Sequence, residues 1–106
     1  MPIPTPPNVL PLHGALDLHV SPQVGDALHS IIRQKPKRVV VDLSGVNYVD
    51  SSGLAVLIGG MQEIERDGGL FMLAGAQQEV LTILESARLD HYFLLFPHVD
   101  AALSAS

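Results

Sequence analysis

No cysteine occurs among the 106 residues, so neither a disulfide nor a thiol nucleophile belongs to this chain. That fits a reducing compartment, and a cytoplasmic location is the expectation. Tryptophan is missing too, and aromatic residues make up 5%, so any core must be aliphatic. Lys and Arg number six against eleven Asp and Glu, a formal net charge of −5. Nucleic-acid phosphates reward clustered cations, so no nucleic-acid partner is expected. The one basic run, Arg33-Gln-Lys-Pro-Lys-Arg38, reads as a solvated helix end and loop, because cations suit a helix C-terminus. No stretch approaches the ~18 to 20 apolar residues that cross a bilayer. Nor does a basic segment followed by an apolar run open the chain. The expectation is a soluble, unexported protein without membrane insertion.

What is present is a globular balance of 47% hydrophobic and 16% charged residues, in a length that suits one domain with one core. Pro2, Pro4, Pro6 and Pro7 withhold backbone donors, so residues 1–8 read as a proline-rich tail before a domain spanning 9–106. Val9 to His13 carries a proline and reads as a short or edge strand, with Gly14-Ala-Leu-Asp17 turning the chain. Ser21 as N-cap and Pro22 at the first helical position open a helix to about Gln34, whose Val24, Ala27, Leu28 and Ile31 share one face. Arg38 to Leu43 is β-branched and nearly continuous, the expected centre of a sheet, and Ser44-Gly45 breaks it. A helix from about Ser51 to Asp67 follows, with Gly59-Gly60 inside it costing on the order of 1 kcal/mol each relative to Ala. Close packing against the sheet is the expected reason. Leu70 to Ala74 is a buried strand, Gln78 to Ala87 a third helix, Leu94 to Phe96 a last strand, and Val99 to Leu103 a final helical turn or two. The expected core comprises Val39 to Val41, Leu54, Leu57, Ile58, Met61, Leu70, Met72, Val80, Ile83 and Leu84. The fold class is α/β: a mixed, roughly four-stranded sheet with helices packed mainly on one face.

The most informative stretch is Val39 to Ile58, which joins the strongest strand signal to the strongest helix signal through the polar corner Asp50-Ser51-Ser52-Gly53. Asp and Ser oxygens accept hydrogen bonds from the free N–H groups of a first helical turn, so the corner marks a helix start. The helix dipole and the remaining free N–H groups there tolerate an added anion, such as a phosphate on Ser51 or Ser52. From the residues alone, the serines are either caps or phosphoacceptors. Asp50 is a cap and loop brace, part of a partner surface, or both. The five histidines, His13, His19, His29, His91 and His98, show no metal-ligand spacing, and surface or packing roles are expected. No Gly-x-Ser-x-Gly elbow, P-loop or Gly-x-Gly-x-x-Gly occurs. Neither catalysis nor a cofactor or metal of the chain's own is expected.

Residues Val39-Val-Val-Asp-Leu-Ser-Gly-Val-Asn-Tyr-Val-Asp-Ser-Ser-Gly-Leu54 resemble the signature of the STAS domain, specifically of the bacterial anti-sigma factor antagonists. Gly14-Ala-Leu-Asp17, Asp67-Gly-Gly69, Gly75, Leu89-Asp90 and Phe96-Pro97 match the same pattern in the same order, over roughly residues 9–103. Two departures stand out. The tail Met1 to Pro7 lacks the family's usual first strand, and Ala55 stands where a further glycine is common. The resemblance implies a phosphorylation-switched protein-binding module, not an enzyme. It would bind an anti-sigma factor that is also a serine-protein kinase, releasing a sigma factor, and phosphorylation of Ser52 would end the binding. A phosphatase would be a further partner. Partner-binding residues implied in this way are Asp17, Asp50, Ser51, Ser52 and Gly53, with Asp17 alternatively an ordinary turn residue. Similar domains also serve as non-switching subunits of ABC-type lipid transport complexes, the rival expectation.

Overall fold

Strand and helix alternate along the chain as β1 (Val9–Leu16), α1 (Ser21–Ile32), β2 (Arg38–Val49), α2 (Ser51–Arg66), β3 (Leu70–Ala74), α3 (Gln78–Ser86), β4 (Leu94–Phe96) and α4 (Val99–Ser104). This computed structural model describes residues 8–105. The expected proline-rich tail therefore lies, apart from Asn8, outside the described residues. Each strand is linked to the next by a helix, the connection parallel pairing needs. The sheet order is β1-β2-β3-β4, and all three pairings are parallel. The mixed character expected of the sheet is therefore corrected among the described residues: with a helix after every strand, no hairpin reverses the direction.

Period-two alternation on the inner strands divides two apolar layers. Val39, Val41, Leu43, Phe71 and Leu73 face the larger one, with Leu28 and Ile31 of α1, Leu57, Met61 and Ile64 of α2, and Val80 and Leu84 of α3. Val40, Met72 and Ala74 face the smaller layer under Ala102 of α4. Three helices thus cover one face and the short α4 the other. Of the expected core, Leu54, Ile58, Leu70 and Ile83 are only half-buried, while Phe71, Leu73, Leu10 and Leu16 lie deeper than expected.

Three local expectations are corrected. Ser44-Gly45 does not end β2. The strand absorbs these residues by slipping register against β1, first between Pro11↔Asp42 and His13↔Gly45, then between Gly14↔Val46 and Ala15↔Tyr48. At each slip β2 advances one residue more than β1, the mark of a bulge, which bends a strand without ending it. Gly14 to Leu16 belong to β1, so the turn begins only at Asp17. Ser21 is not the N-cap of α1. Val20 holds that position, and buried Ser21 turns its hydroxyl back to donate to the Asp17 carbonyl at 2.7 Å.

The paired glycines of α2 divide in their reasons. A Cβ on Gly60 would lie 3.0 Å from Leu28 Cδ1 and 3.5 Å from Phe71, so close packing accounts for it. One on Gly59 would meet nothing within 4 Å. Gly59→Ala is therefore expected to raise stability by about 0.5–1 kcal/mol, the helix-propensity difference. Urea unfolding checks this, and a lowered midpoint would show that something in the fold needs the glycine.

Candidate functional site: the serine corner

β2 ends at Val49, and α2 starts two residues later. The link is Asp50, in extended conformation at the N-cap, with its Oδ1 accepting from the Gly53 amide at 3.0 Å. Its other oxygen, Oδ2, accepts from the Leu18 amide at 3.1 Å, and its own amide donates to the Leu16 carbonyl at 3.0 Å. One residue therefore caps α2 and ties the β1–α1 loop to it. The cap reading of the serines is corrected, because Asp50 performs that role. Among the described residues, neither the Ser51 nor the Ser52 hydroxyl has a hydrogen-bond partner. Ser51 is exposed and Ser52 half-buried, both in the first turn of α2.

Gly53 sets how closely the helix approaches the sheet. It is buried, and a Cβ there would sit 2.5 Å from the Leu16 carbonyl oxygen and 2.9 Å from both Leu16 Cβ and Val49 Cγ1. The obstructing oxygen is backbone and cannot swing aside. Asp17 shapes the loop that Asp50 grips. Its Oδ1 accepts from the His19 amide at 3.0 Å and the Val20 amide at 3.2 Å, and its carbonyl accepts from the Val20 and Ser21 amides. The turn reading of Asp17 is borne out, and the loop it shapes is tied through the Leu18 amide to Asp50, the residue before the serine pair.

Charge is segregated between the two ends of the sheet. All six Lys and Arg, namely Arg33, Lys35, Lys37, Arg38, Arg66 and Arg88, fall at or just beyond the ends of α1, α2 and α3 or at the start of β2. In a parallel α/β layer that is the edge where strands begin. The opposite edge carries Asp17, Asp50, Glu79 and Asp100 with no Lys or Arg. An anion added at the serines thus has no Lys or Arg at its own edge of the sheet.

Among the described residues no group of three or more His, Cys, Asp or Glu is gathered to hold a metal ion. None of their helices is long and apolar enough to cross a membrane. Two surface hollows lie away from the corner: a groove of about 180 Å³ between α1 and α2 floored by Leu28, Ile32 and Val56, and a cleft of about 380 Å³ between Asp42, Ser44 and Asp100. His98 has a role the sequence did not suggest, since its Nδ1 accepts from the Ala101 amide as the N-cap of α4. Leu18 was missed as well. It is 69% exposed beside the corner, and its only sequence signal is an apolar residue set between Asp17 and His19.

The chain belongs to the STAS domain family, whose model matches residues 1–102. It is 29% identical over 98 residues, 92% of this chain and 81% of the relative, to the anti-sigma F factor antagonist of Paenibacillus polymyxa. A 60-residue stretch, 57% of this chain, is 33% identical to YvdB of Bacillus subtilis, a protein named for sulfate transport, of which it covers 11%. Among solved structures, an anti-sigma factor antagonist from Mycobacterium paratuberculosis superposes with a TM-score of 0.83 at 27% identity, over 92% of this chain and 82% of that one. The fold also matches the Bacillus anti-sigma factor antagonist SpoIIAA. TM-scores are 0.69 for the unphosphorylated form (20% identity, 91% of this chain and 84% of that one) and 0.70 for the phosphorylated form (22%, 91% and 86%).

Gly53→Ala is expected to destabilise by about 1–3 kcal/mol, the usual cost of overpacking. Asp50→Ala is expected to lose about 0.5–2 kcal/mol with the helix cap. Equilibrium denaturation of both variants checks these values. Wild-type stability for Gly53→Ala would contradict the contact with the Leu16 carbonyl.

Proposed function

We propose that the chain is a phosphorylation-switched binding module that antagonises an anti-sigma factor. Unmodified, it binds an anti-sigma factor that is also a serine-protein kinase, so that a sigma factor is released. Phosphorylation of Ser52 with ATP held by that kinase ends the binding, and a phosphatase restores it. The chain needs no cofactor for this role and performs it in the cytoplasm. Asp17, Asp50, Ser51, Ser52 and Gly53 form the partner-facing surface.

The observation that carries this reading is the pair of unbonded serine hydroxyls on a helix start that another residue already caps. A phosphate at Ser52 breaks no hydrogen bond of the fold, and it meets a favourable helix dipole. It adds about −1.5 to −2 charge at neutral pH. With no Lys or Arg at that edge, the charge remains at the surface, beside Asp50. A partner packed against the bare hydroxyl then has to desolvate a dianion next to a carboxylate, which is costly unless matched by cations. The switch acts at the interface and leaves the fold standing. The likeness of this fold to both forms of SpoIIAA supports a modification that such a fold tolerates.

A second reading, a non-switching component of a transporter, is favoured by the match to YvdB. It predicts fixed stoichiometry with a membrane transporter and indifference to modification, and the ABC-type lipid complex is one such setting.

Purification with bound partners, followed by phosphosite mapping, tests the choice. Phosphorylation at Ser52 is expected to weaken kinase binding at least ~tenfold, about 1.4 kcal/mol, with native near-ultraviolet dichroism retained. Ser52→Ala should bind and resist modification, and Ser52→Asp should bind poorly. Affinity unmoved by Ser52→Asp and by the phosphate itself would remove the switch.

A further inference from the structure

β2 outruns the strand on one of its two sides. β1 pairs with it as far as Val49, whereas β3 pairs only as far as Asp42, because the chain leaves β3 at Gly75, whose φ of +73° turns it out of the sheet toward α3. On that side residues 43–49 of β2 form a sheet edge, and an edge presents backbone N–H and C=O groups without a strand to pair with. Its first part is covered. The Ser44 carbonyl accepts from the Gln77 side chain at 2.6 Å, and the Ser44 amide donates to Asp42 Oδ1 at 3.0 Å. Beyond Ser44, no side chain of the described residues bonds to the backbone of residues 45–49, and Asn47 and Tyr48 are exposed.

The cleft of about 380 Å³ opens at the start of this edge, with Asp42, Ser44 and Gly75 on one side and the residues that follow β4 on the other. Its place follows from the topology. β3 and β4 are neighbours, yet α3 leaves toward the larger apolar layer and α4 toward the smaller, and open parallel sheets bind ligands in the crevice such a divergence leaves at the strand ends. The walls combine apolar Pro97 and Val99 with the carboxylates of Asp42 and Asp100. Asp42 is held through Oδ1, and neither carboxylate is in an ion pair among the described residues. His98, also in the wall, spends its Nδ1 on capping α4. Apolar walls that end in carboxylates suit a side chain with an apolar stem and a cationic head, and this chain has no Lys or Arg at that edge of the sheet. We infer that residues 45–49 are a docking edge for an extended segment of a partner protein, which adds as a strand beyond the end of β3 and places a Lys or Arg side chain in the cleft between Asp42 and Asp100. Edge and cleft meet at Ser44, so neighbouring residues of one segment reach both. Main-chain bonds then supply affinity and the cleft supplies specificity, the usual division when a strand is added to a sheet. The inference is independent of the reading of Ser52.

Amide-resolved NMR of the full chain tests this, by titration with a blocked peptide of roughly seven alternating Thr and Val residues with a central Lys, long enough for a strand, and with the same peptide carrying Glu in place of Lys. The Lys peptide is expected to shift the amides of residues 44–49 and to slow their hydrogen exchange. The Glu peptide is expected to bind at least ~tenfold more weakly, since like charges brought together at an interface are costly. Asp100→Asn, at an exposed position, and Asp42→Asn, which keeps an oxygen for the Ser44 amide, should each narrow the difference between the peptides with the melting temperature unmoved. Equal affinity for the two peptides would overturn the inference, as would the absence of shifts with either. Shifts confined to the cleft, with the amides of residues 45–49 unmoved, would show a cation site without an added strand and overturn it too. Shifts at residues 45–49 that grow with protein concentration in the absence of peptide would make a second copy the occupant of the edge, which would likewise overturn it.

Discussion

The approach of Gly53 to the backbone of Leu16 sets where α2 begins and how low it sits on the sheet. A side chain at that position would collide with a carbonyl oxygen that the strand cannot move. Because the helix seats this closely, the Asp50 carboxylate can reach both its own first turn and the loop leaving β1. The serine pair is then presented from a fixed platform. Were α2 displaced by the width of a methyl group, Asp50 would have to choose between its cap bond to Gly53 and its loop bond to Leu18.

On the proposed reading, that platform lets a small chemical change have a large effect without a large motion. A switch by refolding has to overcome the packing of twenty buried residues in the larger apolar layer, a layer that α1, α2 and α3 build together. A switch by charge at an interface needs only that the added dianion find no cation on its own chain and an unfavourable, drying surface opposite. The segregation of all six basic residues to the far edge meets the first condition.

Much of the architecture was legible because it depends on periodicity. The face of Val24, Ala27, Leu28 and Ile31 and the continuous run at Val39 to Val41 are set by burial, which the sequence records directly. Features decided by hydrogen-bond competition were harder to read. Ser21 has the residue type of an N-cap, yet Asp17 four residues earlier takes the loop amides and leaves Ser21 to bond backwards. Ser44-Gly45 has the composition of a break, but β1 pairs with β2 on as far as Val49, holds it in line and converts the break into bulges, although β3 pairs only as far as Asp42. At the site, Asp50, the serines and Gly53 were visible as a helix start and Asp50 as a cap and brace, whereas the lack of a bond at either serine hydroxyl was not. A cap can be supplied by any of three adjacent residues, and the extended backbone at Asp50 marks it as the one that caps. Leu18 left almost no trace, since exposure of one leucine has no pattern.

Site-resolved amide hydrogen exchange on the unmodified and Ser52-phosphorylated chains tests the central claim most directly. The account predicts that the Gly53 and Leu18 amides, both held by Asp50, are protected to the same degree in the two forms. Loss of their protection on phosphorylation would mean that the platform itself comes apart, and a switch confined to the interface would be contradicted.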